Sequence, residues 1–307
     1  MHLDSVTLHG RELVYRTQGE GPCLLLVHGI SQDSTTWSSL APLLDGYRVL
    51  APDLPGHGGS ANPPGDHSMG SYASALRDLL LALEIDSGTV VGHSLGGGVA
   101  LQFAYQFPAY LDRLVLVDSG GLGSDVSALL RAAALPGADL VIRGISHDRV
   151  TRGAAGLGRV LARLGVRVGT DIQEAQRGIA GLADPDVRRA FLGTVRTNIG
   201  PRGQRVSAND RLYLATHVPT LILWGERDRI IPRSHGLEAH ASVPDSEFEV
   251  VPGAGHFPHV EAPGRVGASL QRFLAATRPA GLTKEDLSAL LRNDGPVDEN
   301  AGAPGPG

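Results

Sequence analysis

Residues 90–98 read VVGHSLGGG, an apolar pair followed by a serine set among glycines. The five residues GHSLG at 92–96 fit the pattern G-x-S-x-G, with a strand-like run before them and a helical pattern after them. A serine on so sharp a turn has a strained backbone, and side chains at Gly92 and Gly96 would collide. The stretch therefore predicts a strand, a tight turn and a helix, with Ser94 as an exposed nucleophile at the helix N-terminus.

A serine hydroxyl is a poor nucleophile near neutral pH, so Ser94 needs a base that a carboxylate orients. The run LILWGERDRIIP at 221–232 places Asp228 in a loop after a strand pattern. The run EFEVVPGAGHFPHVEAP at 247–263 places His256 between the last strand pattern and the last helical pattern. Serine, acid and histidine thus follow one another along the chain, each just beyond a strand. We predict that Ser94, Asp228 and His256 form a catalytic triad.

Acyl transfer also needs N–H donors for the oxyanion that develops on the substrate. One predicted donor is the backbone N–H of Leu95, directly after the nucleophile. The other is the backbone N–H of Ile30, in a loop that follows the buried run LLLV at 24–27. We predict that these two groups form the oxyanion hole.

Short β-rich runs alternate with longer helical patterns along most of the chain. The runs predict strands over Leu13–Thr17, Cys23–Val27, Val49–Ala51, Thr89–Gly92, Leu114–Asp118, Thr220–Trp224 and Phe248–Val251. Apolar residues at helical spacing predict helices over Tyr72–Glu84, Leu95–Phe107 and Val260–Ala276. Several strand runs are apolar throughout, as expected of strands buried on both faces of a parallel sheet. The alternation predicts an α/β fold around a sheet with right-handed crossovers.

One long stretch, rich in Ala, Gly, Leu and Arg, interrupts this alternation and shows no strand pattern. We predict a core formed by residues 1–121 and 209–278, with a helical insertion over residues 122–208. Residues 279–307 form a C-terminal tail that is predicted to be partly disordered. The tail contains one capped helical pattern, over residues 283–292.

Five motifs make the chain resemble the α/β-hydrolase fold superfamily. They are VHG at 27–29, APDLPGHGGS at 51–60, GHSLGG at 92–97, WGERDRIIP at 224–232 and GAGHFPHVEAP at 253–263. The resemblance covers residues 3–276 and implies an eight-stranded, mostly parallel sheet with a helical cap inserted after the sixth strand. It supports the same triad.

Within this family other conspicuous residues have structural roles. Asp53 and His57 belong to a turn. In some relatives an acid near the position of Asp118 serves the histidine, but Asp228 fits that role better. His93 occupies a variable position of the elbow, where we expect it to pack or to form a hydrogen bond.

Composition limits the possible partners. The chain has 307 residues and a formal charge of −5, which gives no reason to expect a nucleic acid or a membrane surface as partner. Its N-terminus shows no secretion signal, and no apolar stretch reaches the roughly 18 residues that span a bilayer. We expect a cytoplasmic protein that acts on a small molecule. His256 and His259 lie three residues apart without a further ligand of metal-site type, so a zinc site is not expected. No other metal and no cofactor are expected.

The residue at the elbow narrows the reaction. Ser94 stands where haloalkane dehalogenases and epoxide hydrolases of this fold carry aspartate, so neither chemistry is expected. We expect hydrolysis of a carboxylic ester or lactone through an acyl-enzyme. Thioesterases, C–C bond hydrolases and enzymes that catalyse cyclisation or elimination stay open as alternatives, as does ligand binding without catalysis. C–C hydrolases often carry Asn before the serine, and His93 departs from that pattern.

The insertion carries an excess of positive charge, with 13 arginines against 7 acidic residues. One hypothesis is that one or two of these arginines face the cleft above Ser94 and bind an anionic substrate. The other interpretation, which is the commoner origin of such charge, is that they lie on solvated helix faces.

Overall fold

An eight-stranded sheet forms the centre of the fold in the computed structural model. Its strands are β1 (His2–Leu8), β2 (Arg11–Gln18), β3 (Cys23–Val27), β4 (Arg48–Pro52), β5 (Gly88–His93), β6 (Leu111–Val117), β9 (Thr220–Gly225) and β10 (Glu247–Val251), while β7 (Ile199–Gly200) and β8 (Gly203–Gln204) form a separate hairpin. The structure describes residues 1–62, 65–147, 150–153, 156, 169–208, 212, 216–243 and 245–282, with the isolated positions 286, 288 and 292. Apart from those positions, the predicted tail helix and the predicted disordered end lie outside the described residues.

The strands follow the order β1-β2-β4-β3-β5-β6-β9-β10 across the sheet. From β4 to β10 each neighbouring pair is parallel, whereas β1 pairs antiparallel with β2, and β2 pairs antiparallel with β4. The central strands β3, β5 and β9 are buried at every residue, which explains the apolar runs LLLV, VV and LILW within them. The predicted α/β fold with a mostly parallel eight-stranded sheet is confirmed.

Strand β1 is an element that the sequence patterns did not predict. It lies at the sheet edge and is largely exposed, so its residues do not form a buried apolar run. A tight turn joins it to β2, with Leu8 paired to Arg11 and positive φ angles at His9 (52°) and Gly10 (74°). Two consecutive positive φ angles are the geometry of a type I′ hairpin turn, which matches the twist of the two strands.

Helices cover both faces of the sheet. The described helices are α1 (Met69–Ala82), α2 (Leu95–Gln106), α3 (Ala128–Ala133), α4 (Ala138–Ile145), α5 (Thr170–Gly181), α6 (Pro185–Asn198), α7 (Ser234–Ser242), α8 (Pro258–Glu261) and α9 (Pro263–Ala276). Alternate residues of β3 point into two different clusters, because successive side chains of a strand face opposite sides. Leu25 joins a cluster with residues of α1 and α2, whereas Leu24 joins a cluster with Trp37 and residues of α9.

Between β6 and β9 the chain leaves the sheet. The described part of this insertion contains α3, α4, α5, α6 and the hairpin of β7 and β8. The hairpin differs from the prediction, because the sequence shows no strand pattern in this stretch. Each hairpin strand has only two residues, which is too short to show a period-2 pattern in the sequence. Helix α6 begins at a cap where the Asp184 side chain accepts hydrogen bonds from two backbone N–H groups of the first turn.

Candidate active site

The turn between β5 and α2 holds Ser94 in a strained conformation. Ser94 is the N-cap residue of α2, with φ 53° and ψ −118°. Its N–H donates to the carbonyl oxygen of Val117 at 3.1 Å, and its own carbonyl accepts from Gly120 N–H at 2.8 Å. A residue with positive φ that is not glycine costs energy, and these bonds to neighbouring segments hold it in place.

Two glycines of the elbow are required by close backbone contacts. A Cβ atom added to Gly92 would lie 2.2 Å from the carbonyl oxygen of Gly96. A Cβ atom added to Gly96 would lie 2.2 Å from the carbonyl oxygen of Val27. Both glycines are therefore needed for steric reasons, as the sequence pattern predicts, rather than for flexibility.

The structure brings Ser94, His256 and Asp228 together in one hydrogen-bonded chain. His256 Nε2 lies 3.0 Å from Ser94 Oγ, and His256 Nδ1 lies 2.8 Å from Asp228 Oδ2. The other carboxylate oxygen of Asp228 accepts the backbone N–H groups of Ile230 (2.7 Å) and Ile231 (3.1 Å). With its Nδ1–H donated to the carboxylate, the imidazole presents Nε2 as an acceptor for the serine hydroxyl. Such a chain can remove a proton from Ser94 Oγ.

A second carboxyl group, that of Asp118, lies beside Asp228. Asp118 is fully buried, and its Oδ1 accepts the backbone N–H of Gly225 at 2.9 Å. Burial, together with the neighbouring Asp228 carboxylate, raises the pKa of Asp118 well above its usual value. Burial alone would raise the pKa of Asp228 as well, but His256 and several hydrogen bonds lower it. Asp228 therefore holds the negative charge of the pair more readily than Asp118 does.

The two predicted oxyanion donors lie close to Ser94. Leu95 is the first residue of α2, where N–H groups have no acceptor within the helix. Ile30 follows β3 and, together with Leu95 and Ser94, lines a small cavity of about 30 Å³. Their assignment as the oxyanion hole stays a prediction.

A larger cavity of about 310 Å³ opens from Ser94 toward the insertion. Most of its wall is apolar and comes from α3, α4 and α5, with Leu130, Ile142 and Ile179 among the lining side chains. Ser94 and His256 also line it, so an apolar group that fills this space would place its reacting end against the hydrogen-bonded chain.

The charged groups that line this cavity are acidic. They are Asp171 and Glu174, and no arginine of the described residues belongs to the lining. Arg188 instead pairs with Asp139 and donates to the carbonyl oxygen of Leu182. Among the described residues, the lining of this cavity gives no support to the hypothesis that arginines of the insertion face the cleft.

Two further histidines pack behind His256. His93 Nε2 lies 2.7 Å from the carbonyl oxygen of His256, and its ring centre lies 4.4 Å from that of His259. His259 bonds to Thr36 Oγ1 at 2.8 Å. Burial lowers the pKa of His93, and it lowers the pKa of His259 to about 3, so both rings are neutral at pH 7. The expectation that His93 packs and forms a hydrogen bond is confirmed.

The turn that contains Asp53 and His57 is held by hydrogen bonds within itself and to the segment around Ser34. The two carboxylate oxygens of Asp53 accept the backbone N–H groups of Ser34 (2.7 Å) and Gly59 (2.8 Å). His57 Nδ1 lies 3.3 Å from the carbonyl oxygen of Pro55. Asp53 thus joins the turn to Ser34, and the His57 ring is buried beside it.

One polar contact to the His256 loop is not predictable from the sequence patterns. Asp171, in the first turn of α5, accepts the backbone N–H of His256 through Oδ1 at 3.0 Å. No local sequence signal marks this contact, because the two residues are 85 positions apart and the insertion has no motif of its own.

Three side chains with metal-ligating atoms come together at this site. In the part of the chain that the structure describes, Asp118, Asp228 and His256 place one ligand atom each within 4.8 Å of one another. Two of these side chains belong to the hydrogen-bonded chain of Ser94, whose bonds already use their facing atoms.

Among the described residues, the helices are all too short or too polar to cross a membrane.

A mostly parallel sheet that carries a strained serine, a carboxylate and a histidine just beyond successive strands is the architecture of an α/β hydrolase. A profile of the alpha/beta hydrolase fold family matches residues 22–263 of this chain. The chain belongs to this family, which confirms the resemblance drawn from its motifs.

Individual relatives differ in what they are named for. A protein of Mycobacterium tuberculosis described as uncharacterized is 41% identical over 292 residues, which cover 94% of this chain and 86% of that protein. A 2-hydroxymuconate semialdehyde hydrolase of Pseudomonas putida is 30% identical over 87% of this chain and 94% of its own length. The structure of a thermophilic esterase from Thermogutta terrifontis superposes with a TM-score of 0.68 at 25% identity, covering 90% of this chain and 99% of the esterase.

Proposed function

We propose that this protein is a serine hydrolase that cleaves a carboxylic ester or lactone of an apolar small molecule through an acyl-enzyme. One observation carries the proposal. Ser94 Oγ lies 3.0 Å from His256 Nε2 at the end of a hydrogen-bonded chain, and the same serine lines an apolar cavity of about 310 Å³.

In the first half of the reaction Ser94 Oγ attacks the carbonyl carbon of the substrate while His256 Nε2 takes the hydroxyl proton. The ionised carboxylate of Asp228 stabilises the imidazolium that forms. The N–H groups of Leu95 and Ile30 donate to the oxyanion. The C–O bond to the leaving group then breaks, and His256 returns its proton to the leaving alkoxide oxygen. The products of this half are an alcohol and an acyl ester on Ser94.

In the second half water attacks the acyl carbon, and His256 Nε2 takes a proton from that water. The tetrahedral intermediate collapses with release of Ser94 Oγ, which regains its proton from His256. The enzyme returns to its starting state, and the acid product leaves. No cofactor is needed, because the carbonyl substrate and water supply all the atoms.

Hydrolysis of a C–C bond is the second candidate function. It is favoured by the 30% identical relative, which is named as a hydrolase of 2-hydroxymuconate semialdehyde. The ester is favoured by the apolar lining, since a ring-cleavage product carries a carboxylate and the charged groups of the lining are acidic. A thermophilic esterase of similar fold adds support for the ester.

The experiment compares the two substrate classes on one enzyme preparation. We expect Ser94 to be labelled stoichiometrically by an alkyl phosphonate, with the label lost in Ser94→Ala. We expect p-nitrophenyl esters of four to eight carbons to be turned over faster than 2-hydroxymuconate semialdehyde. Turnover of the semialdehyde is measured by the loss of its dienol absorbance. The reverse order of kcat/KM would support the C–C candidate instead. Full activity of Ser94→Ala on the best ester would contradict the mechanism.

A further inference from the structure

Two carboxylates hold three successive backbone N–H groups around His256. Glu261, on α8, accepts Gly255 N–H at 2.9 Å and Phe257 N–H at 3.4 Å through Oε1. Asp171 accepts the N–H between them, that of His256, at 3.0 Å. Glu261 belongs to the same segment as His256, whereas Asp171 reaches the loop from the insertion.

The backbone of His256 is therefore held at both of its polar groups. Asp171 accepts its N–H, and His93, next to Ser94 in the elbow, bonds to its carbonyl oxygen at 2.7 Å. These bonds fix the two peptide groups that flank the Cα of His256, which restricts the direction of its side chain and here places Nε2 at 3.0 Å from Ser94 Oγ. One of the two restraints is thus supplied by α5 of the insertion.

Helix α5 also approaches the loop on the other side of Ser94. A Cβ atom added to Gly178 would lie 2.7 Å from Ser31 Oγ, next to the predicted oxyanion donor Ile30. At the first turn of the same helix, a Cβ atom added to Gly255 would lie 2.5 Å from Asp171 Oδ2. Helix α5 therefore packs closely against the core near both of its ends, against Ser31 at one and against Gly255 at the other.

We propose that Asp171 is a positioning residue that couples the seating of the insertion to the alignment of His256 with Ser94. When α5 is seated, its carboxylate holds the His256 N–H and the imidazole faces the serine hydroxyl. When α5 moves away, the loop keeps Glu261 and loses Asp171, so the imidazole is less well aligned. This inference rests on the proposed function, because it concerns the same three side chains.

The first test compares two substitutions at Asp171. Asp171→Ala removes the acceptor, and we expect kcat for the best p-nitrophenyl ester to fall by about tenfold to 100-fold, as small misalignments at reacting groups do. KM should change by less than kcat, because the apolar side chains of the cavity are unchanged and only the Asp171 carboxylate is removed from its lining. Asp171→Asn keeps an acceptor oxygen at the same place, and we expect its kcat to lie within about threefold of wild type.

Asp186→Ala is the matched control. Asp186 is also a carboxylate in the first turn of an insertion helix, and its side chain pairs with Arg189 at the surface, 2.8 Å away. We expect this variant to keep the wild-type kcat. A purely structural role of Asp171 would instead raise KM or lower the melting temperature without a selective loss of kcat, and that result would overturn the proposal.

A second test perturbs the contact from the other partner. In Gly255→Ala the new methyl group displaces the Asp171 carboxylate, since the three atoms nearest to that Cβ position all belong to Asp171. We expect kcat to fall by about tenfold in this variant. In Asp171→Ala/Gly255→Ala the methyl group meets no carboxylate, so kcat should stay within about twofold of Asp171→Ala alone. Additive losses in the double variant would overturn the proposal.

The two tests separate this inference from the proposed function. Phosphonate labelling of Ser94 and ester turnover in the wild-type protein test the proposed function and do not depend on Asp171. With both present, a wild-type kcat in Asp171→Ala overturns the positioning role alone. If Asp171→Ala fails to fold, the other two variants decide. A low kcat in Gly255→Ala together with a near wild-type kcat in Asp171→Asn supports the positioning role. A wild-type kcat in Gly255→Ala overturns it.

Discussion

The two sides of the candidate site are built differently. The core side consists of the sheet ends and the loops that follow them, and the insertion side consists of helices α3, α4 and α5. The core side places its polar groups at strand ends and fixes them through hydrogen bonds between buried atoms, as between His256 and Asp228. The insertion side consists of short helices that line the cavity with apolar groups, and some of their side chains, such as Leu129 (70% exposed) and Val141 (65% exposed), are open to solvent. Hydrogen bonds have directions and apolar contacts do not. The core side can therefore fix a reaction, while the insertion side can change its substrate at lower cost.

The largest effect is expected where the core side relies on one charge. Asp228→Asn keeps the shape of the side chain but removes the carboxylate that faces His256 Nδ1. We expect kcat for ester hydrolysis to fall by about 10⁴-fold, because the imidazolium loses its stabilising charge and its tautomer is no longer fixed. Initial rates and phosphonate labelling of Ser94 measure the loss.

Asp118→Asn is the control for this prediction, because burial and the neighbouring Asp228 raise the pKa of Asp118, whereas that of Asp228 is lowered. The amide oxygen can accept the Gly225 N–H, as the Asp118 carboxyl does. We expect kcat to stay within about threefold of wild type. A loss in Asp118→Asn as large as that in Asp228→Asn would show that Asp118 supplies the charge, and would reverse the assignment of the acid.

A smaller effect is expected from the backbone contacts of the elbow. In Gly96→Ala the new methyl group would meet the carbonyl oxygens of Val27 (2.2 Å) and His28 (2.6 Å), which are backbone atoms at the end of β3. We expect the free energy of unfolding to fall by about 3 kcal/mol. Urea unfolding measures this value.

Gly98→Ala, two positions beyond Gly96 on α2, is the matched control. The nearest atom to its new methyl group is Met69 Sδ at 2.5 Å, in a flexible side chain that can move. We expect a cost of about 1 kcal/mol or less. Equal losses in the two variants would mean that the elbow has no special steric requirement.

This difference between the two sides also explains what the sequence reveals. Ser94, Asp228 and His256 could be predicted because each lies just beyond an apolar run, and the ends of parallel strands meet at one edge of a sheet. The glycines of the elbow could be predicted because backbone contacts leave them no substitute. These requirements act on a few consecutive residues, so they are visible in the sequence.

The rest depends on contacts between distant segments. The Asp171 contact joins residues 85 positions apart, and an aspartate in a first helical turn has a local explanation of its own. Strand β1 was missed because an exposed edge strand lacks a buried face that would produce alternation. The arginines of the insertion suggested an anionic ligand, but charge excess alone does not say which way a side chain points.

An intermediate effect is expected on the insertion side. Ala133, in α3, lines the apolar cavity, and Ala133→Leu reduces the space available to the substrate. We expect kcat/KM for the longest ester that the wild type accepts to fall by about 30-fold, which corresponds to a loss of about 2 kcal/mol in transition-state binding. The value for p-nitrophenyl acetate should change little. The measurement is a chain-length series of esters.

Ala180→Leu is the control for this change. Ala180 lies on α5, is exposed and does not line the cavity. We expect its chain-length profile to match that of wild type. A uniform loss over all chain lengths in Ala133→Leu would mean that the core side had been disturbed, and the separation of the two sides would fail.

The smallest effect concerns the buried histidines of the core side. His57 is 3% exposed, and burial lowers its pKa to about 3 from a usual value of 6.5. The unfolded chain therefore binds a proton that the folded chain rejects, and stability falls as the pH drops below 6.5. Between pH 7.5 and pH 5.5 this one group should lower the free energy of unfolding by about 1.4 kcal/mol.

His57→Phe removes the group, so we expect its loss of stability over that interval to be smaller than the wild-type loss by this amount. Urea unfolding at the two pH values measures the difference, and between pH 7.5 and 8.5 the two proteins should change in parallel. An unchanged acid loss in His57→Phe would mean that the folded core can accept a proton at this ring, and that the core side is less rigid than its hydrogen bonds indicate.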